Sequence, residues 1–340
     1  MSDMSWHFSW DRGRAQIVPA GGMIGPVEFE LEGGRSVQPF AIAPWSDDEG
    51  PDYDALPRLL QKLRGEWIGV PFGMPEPLAS LPADWLDGPA VTRGYGDHFH
   101  GYSSNADWTL TSAEEGAAEM VLDYPEDHPV RRVTRTIRGV EGRSRLAFEF
   151  GVETRRAVEL PLGIHPVFHL PETPGAASLE FAGSPRVRTY PVDAEPGISR
   201  FAIDQKSVPL DGVPMKDGTT ADLTRLPLAF DTEELVLVTG HEGVATLRFP
   251  QEGYAIRLQW DATAFPACML WISNHGRTAY PWNGRFRAIG IEPVVSAFDL
   301  GTDVSQNPDN PLRRQGISTT HRFEAGEEWT TGYTIDVFPD

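Results

Sequence analysis

The sequence predicts an all-β protein of antiparallel strands, on three observations. Its 34 glycines and 30 prolines in 340 residues are spread among short apolar runs, as expected where many strands are joined by many turns. From about Asp107 onward, apolar and polar residues alternate with period two. Dipeptides that favour tight turns, Glu141-Gly142, Glu242-Gly243, Glu252-Gly253 and Asn283-Gly284, separate many of those runs.

Along the chain, residues 1–20 are read as an arm or an edge strand. Residues 52–66 carry the clearest helix signal: Leu56, Leu59, Leu60 and Leu63 recur at helical spacing, with Pro57 in the first turn. The proline-rich run 71–77 then reads as a rigid loop. Strands are expected at residues 108–112, 120–124, 130–138, 145–153, 244–249, 255–260, 286–292 and 333–337. The segment 172–231 is richer in Pro and Gly than its flanks. Strand patterning resumes after it without a compositional break, so it is expected to be an irregular excursion from one sandwich rather than a linker. No fixed-period repeat is present, which excludes a propeller or solenoid. The expected organisation is one domain over 1–340.

Hydrophobic residues make up 40% of the chain and charged residues 23%, enough apolar material for a large core. The formal net charge of −20 opposes binding to nucleic acid phosphates or anionic membranes. The densest basic cluster, Arg131, Arg132, Arg135 and Arg138, is read as a solvated strand face. The single cysteine, Cys268, lies in an apolar run and is expected in the core. The first residues lack the apolar stretch of a signal peptide, and no run of 18 apolar residues occurs, so a cytoplasmic location is expected.

Three clusters could carry chemistry. His98 and His100 sit two residues apart, on one side of an extended segment, but Ser104 and Asn105 stand where a metal-binding carboxylate would be needed. His165 precedes Pro166, which biases it toward extended backbone. His165 and His169 have the spacing of a helical zinc pair, yet Pro166 opposes a helix and no glutamate follows His165. Glu292 ends an apolar strand, where a carboxylate requires a partner or a cleft. Taken alone, His165 reads as a hydrogen-bonded structural histidine and Glu292 as a salt-bridge or turn residue.

Together the residues resemble the aldose 1-epimerases, or galactose mutarotase-like proteins. The matching pieces, in the family's order, are His100-Gly101 followed by an aromatic residue and then Trp108; His165-Pro166-x-Phe168-x-Leu170; and Ile291-Glu292-Pro293. Asn310-Pro311-Leu312 and Phe323-x-Ala325-Gly326-Glu327-x-Trp329 with Tyr333 match the closing strands. The resemblance implies a large antiparallel β supersandwich with few short helices and a sugar cleft on one sheet face. It implies that His165 is the general acid toward the ring oxygen, Glu292 the base toward the anomeric hydroxyl, and His100 an aid to binding. No cofactor and no metal are required for this chemistry, in which the acid and base are pictured on opposite sides of the pyranose.

The family's arginine would correspond to Arg64 or Arg93, although Arg64 is followed by Gly65-Glu66-Trp67 rather than the usual asparagine-containing run. Its hydroxyl-binding aspartate would correspond to Asp231. Trp67, Trp108, Trp271 and Trp282 are available to stack on a sugar face. The expected partner is a small sugar, with the chain acting as monomer or homodimer. Alternatives are a hexose-phosphate epimerase of the same fold, with Arg64, Arg93 and Arg287 as the phosphate clamp; a non-catalytic carbohydrate-binding protein; and a metal-dependent isomerase built on His98 and His100.

Overall fold

The computed structural model describes residues 5–86 and 98–340. Strands form where the sequence led them to be expected: Thr109–Glu114, Ala117–Asp123, Val130–Gly139, Arg145–Thr154, Tyr254–Trp260, Arg287–Val295 and Glu328–Pro339. They belong to one 14-stranded sheet, and every strand pair in it is antiparallel. The fold is the mostly antiparallel β architecture that the sequence predicts.

The sheet doubles back through one long strand, Thr232–Phe249. Its first half pairs with Ala267–Asn274 and its second half with Tyr254–Trp260. Glu242-Gly243, expected as a hairpin turn, instead lies inside this strand. A Cβ on Gly243 would stand 2.3 Å from the Trp260 carbonyl oxygen, and φ there is +74°, so only glycine fits the close approach. The strand Ala177–Thr189 pairs with both halves of Thr232–Phe249 and lies within the segment read as irregular. Its two register shifts break the alternation that would have revealed it.

Alternate residues of the central strands feed two apolar clusters, one on each sheet face. Cys268, Leu270 and Ile272 join Ile289 and Ile291 in an inner core, where Phe148, Ile256 and Ile335 from the other half of the sheet meet them. Met269 and Trp271 join Leu235 and Leu237 in a second cluster on the outer face, covered by Trp45, Leu59, Leu63, Trp85 and Phe298. A strand buried on both faces reads as a continuous apolar run, which is why 288–295 shows no alternation.

The N-terminal residues form a separate four-stranded sheet, with Trp6–Trp10 at its edge, that packs Phe8, Ile17, Val27 and Phe29 onto the inner core. The helix expected over 52–66 is reduced to two single turns, Pro51–Asp54 and Arg58–Gln61. Pro57 caps the second turn at φ −53° and ψ 143°, an extended conformation that ends the first. No helix among the described residues is long and apolar enough to cross a membrane.

Arg135 is not on a solvated face, contrary to the reading of the basic cluster. It is 1% exposed and forms an ion pair with Glu66, itself fully buried. Tyr333 donates to the other Glu66 oxygen at 2.5 Å, and Arg135 also donates to the Gly22 carbonyl at 2.8 Å. This network ties the strands bearing Arg135 and Tyr333 to the segment carrying Trp67. Removing one partner leaves a buried charge uncompensated. Arg135→Ala is therefore expected to lower stability by about 3–5 kcal/mol, whereas Arg135→Met with Glu66→Gln restores much of the loss; urea denaturation of the two variants checks this.

Candidate active site

Strand register brings His165 and Glu292 together. Leu162–Ile164 and Val167–His169 both pair with Arg287–Val295, Leu162 facing Val295 and Val167 facing Gly290. The same register runs through both segments and sets His165 opposite Glu292. The ladder lapses between them because Pro166 and Pro293 have no N–H to donate. The Pro166 carbonyl still accepts from Ile291 at 3.0 Å, which holds the two strands together across the break.

The row extends further on both sides. His165 donates its backbone N–H to the Trp67 carbonyl at 2.8 Å, and Met269 is the cross-strand partner of Glu292. Trp67, His165, Glu292 and Met269 thus form one line across four neighbouring strands. The Trp67 ring stacks on the His165 imidazole at 4.0 Å between centroids and 21° between planes, which fixes the imidazole's tilt. Gly290, two residues before Glu292, makes room for the carboxylate: a Cβ there would lie 2.3 Å from Oε1.

His165 Nε2 stands 3.2 Å from Glu292 Oε1. The contact is close enough for an ion pair but lacks hydrogen-bond alignment, and both Glu292 oxygens and His165 Nδ1 are buried without a hydrogen-bond partner among the described residues. Burial pushes the Glu292 carboxyl well above its ordinary value, with the Asp299 charge adding to the effect. Burial likewise holds the His165 imidazole well below its ordinary value, with His100 adding to it. The two shifts describe one pair that prefers to be uncharged, with its exchangeable proton on the carboxyl.

His100 lies beside this pair, 5.1 Å from His165 between ring centroids. It adopts φ +57°, and its backbone N–H donates to the Gly73 carbonyl at 2.7 Å. The Gly73 N–H donates in turn to His100 Nδ1 at 3.3 Å, which places the ring proton on Nε2. Gly101 follows with φ +78°, and a Cβ there would meet the Val70 and Pro71 carbonyl oxygens at 2.5 Å, which explains the glycine after His100. Phe72 and Phe99 enclose the imidazole, and burial pushes it down to about 3.

These residues floor a cleft with about 440 Å³ of space between its walls, open solvent included. Trp271 and Trp282 form one wall. The Trp271 indole donates to Glu233, which also accepts from Ser273 at 2.9 Å. Arg277 lies over Trp282 at 4.7 Å and pairs with Glu195 at 3.1 Å and Glu233 at 3.4 Å. Asp299 lines the cleft and accepts from the Tyr190 hydroxyl at 2.7 Å. Burial raises its carboxyl, and the Tyr190 bond partly offsets that rise.

Of the residues singled out from sequence, His100, His165, Glu292 and Trp271 share this cleft with Trp67 and Trp282. Three others lie elsewhere. Arg64 donates to the Lys62 carbonyl at 3.0 Å and to that of Gly25 at 3.5 Å, and is absent from the cleft lining. Asp231 is exposed and borders a different surface hollow. Trp108 is packed in the inner core, where its indole donates to the Ser103 carbonyl at 2.8 Å and so braces the turn after His100.

The proposed phosphate clamp does not assemble from its described members, because Arg287 is engaged by Glu172, the Pro171 carbonyl and His275. Arg93 lies outside the described residues. His98 is exposed while His100 is buried, and no three His, Cys, Asp or Glu side chains converge as metal ligands among the described residues.

Sequence reasoning missed Arg277 and Asp299. Asp299 carries the same signal as Glu292, a lone carboxylate in an apolar run, and could have been found by it. Arg277 sits in a polar turn that offers no such signal.

No protein-family model matches the sequence, and no curated protein matches it. Solved structures do match. An Escherichia coli K12 structure described provisionally as an aldose 1-epimerase aligns over 99% of each chain, with a TM-score of 0.65 and 16% identity. A Caenorhabditis elegans structure described as a GalM/aldose epimerase homologue aligns over 99% of each chain, with a TM-score of 0.62 and 14% identity. A galactose mutarotase-like protein from Lactobacillus casei aligns over 98% of this chain and 100% of its own, with a TM-score of 0.57 and 16% identity. The chain therefore has the fold shared by these aldose 1-epimerase and galactose mutarotase-like structures.

The depressed imidazoles carry a consequence for stability. As pH falls below about 6.5 the unfolded chain takes up protons on histidines that stay neutral when folded, so stability declines on acidification. For His100 this window runs down to its folded value of about 3. Between pH 6.5 and 5 the wild type is expected to lose up to about 2 kcal/mol more than His100→Asn, whose amide oxygen can still accept from Gly73. Urea denaturation at the two pH values checks this; equal losses would return His100 to ordinary titration.

Proposed function

We propose that the protein is an aldose 1-epimerase-like isomerase that interconverts the α and β anomers of a free aldose. The observation that carries this reading is the buried, in-register contact between His165 and Glu292 on the floor of a tryptophan-lined cleft. The anomeric hydroxyl and the ring oxygen are bonded to the same carbon. An acid and a base that serve them belong side by side, as here, rather than on opposite faces of the ring.

In the charge-separated form of the pair, the Glu292 carboxylate takes the proton from the anomeric hydroxyl and the His165 imidazolium gives one to the ring oxygen as the C1–O5 bond breaks. The product is the open-chain aldehyde. The pair is left as carboxylic acid and neutral imidazole, the form that burial favours. Rotation about C1–C2 presents the other carbonyl face. His165 then takes the proton from the O5 hydroxyl, Glu292 returns its proton to the carbonyl oxygen, and the ring closes as the opposite anomer. Protons balance over the cycle, and the two protonation forms correspond to its two halves.

His100, which lines the cleft beside the pair, would support binding of a sugar oxygen, while Trp271 and Trp282 offer apolar faces to the ring. Replacing either member of the pair is expected to cost a substantial part of the acid–base contribution. His165→Ala and Glu292→Gln should each lower kcat for anomerisation by roughly 10²- to 10⁴-fold, measured by polarimetry or NMR exchange on a panel of free aldoses. Unchanged rates in both variants would leave a carbohydrate-binding role instead.

A further inference from the structure

Among the described residues, the cleft lining offers few polar side chains for a fully hydroxylated hexose. Beyond the acid–base pair, the described lining side chains that carry hydrogen-bonding groups are His100, Asp299, Arg277 and the indoles of Trp67, Trp271 and Trp282. The first three are already engaged on one side: His100 Nδ1 by Gly73, Asp299 Oδ1 by Tyr190, and Arg277 by two glutamates.

A large share of the remaining lining is aliphatic and comes from two directions. Leu59 and Leu60 enter from the turn Arg58–Gln61, with Leu63 just after it, while Leu235 and Met269 rise from the sheet. Met269 is the cross-strand neighbour of Glu292, so aliphatic surface begins immediately beside the base. A hydroxyl pressed against these five side chains would lose its water without gaining a hydrogen bond, whereas a methyl would be favoured there.

Resting on the proposed anomerase activity, we infer that this cleft is shaped for a 6-deoxy aldose, a sugar whose exocyclic carbon is a methyl group packed on the aliphatic wall. The sugar's remaining hydroxyls then face His100, Asp299 and Arg277. An apolar wall discriminates against an added hydroxyl only to a limited degree, so the preference is a matter of one to two decades.

The test compares anomerisation of matched pairs by NMR exchange: D-fucose with D-galactose, 6-deoxy-D-glucose with D-glucose, and L-rhamnose with L-mannose. D-xylose serves as the sugar lacking the exocyclic carbon altogether. The expected result is a kcat/KM roughly 10- to 100-fold higher for the deoxy member of at least one pair, with D-xylose below 6-deoxy-D-glucose. Leu60→Gln, at a half-buried position, and Met269→Gln each add a hydrogen-bonding group to the wall and should narrow the favoured ratio at least fivefold.

Equal or higher kcat/KM for the parent hexose in every pair would overturn the inference and leave the anomerase reading intact. So would D-xylose matching 6-deoxy-D-glucose. Absence of turnover with all seven sugars would remove the anomerase reading and this inference with it.

Discussion

The site depends on one cross-strand register. Residues 162–169 run antiparallel to Arg287–Val295, and the pairing that sets Leu162 against Val295 and Val167 against Gly290 leaves His165 opposite Glu292. A slip of one residue would turn every side chain of one strand to the other face and bury His165 in the inner core. The apolar partners on both faces oppose such a slip, since Ile164 and Phe168 pack inward while Val167 packs outward. The large core therefore does more than stabilise the fold: it fixes the separation of His165 and Glu292, which lie 127 positions apart in sequence.

The same burial sets their chemistry. Isolated ionised groups at these depths would be strongly disfavoured, and burial accordingly raises the Glu292 carboxyl and lowers the His165 imidazole. Both Glu292 oxygens and His165 Nδ1 have no hydrogen-bond partner among the described residues. Under the proposed function, hydrogen bonds from a sugar to these groups would contribute to its binding and orientation. Trp67 and Gly290 contribute by position alone, one holding the imidazole plane and the other leaving room for the carboxylate.

Much of this was legible in the sequence, and the exceptions have physical causes. Alternation located the strands that have one polar face, and the continuous run ending at Glu292 marked the central one. Ala177–Thr189 escaped because its bulges destroy the period. The leucines of residues 52–66 read as a helix because their spacing is helical, yet Pro57 divides the segment and the same leucines line the cleft and its cover. Arg64, Asp231 and Trp108 were drawn into the site by order in the chain, which carries no information about which way a side chain faces. Arg135 looked solvated because its partner, Glu66, lies 69 positions away. His165 and Glu292 stand out in sequence as a histidine and a carboxylate beside prolines, but only the order of motifs shared with His100, and the resemblance it carries, joins them as a candidate pair.

The claim that His165 and Glu292 work as one proton-transfer unit is tested most directly by a double-mutant cycle on the anomerisation rate, using His165→Gln, Glu292→Gln and the double variant. Residues that act as a unit lose their joint contribution once either is removed. The double variant is therefore expected to be about as slow as the slower single variant. A double variant slowed by the product of the two single effects would show two independent contributions and contradict the account.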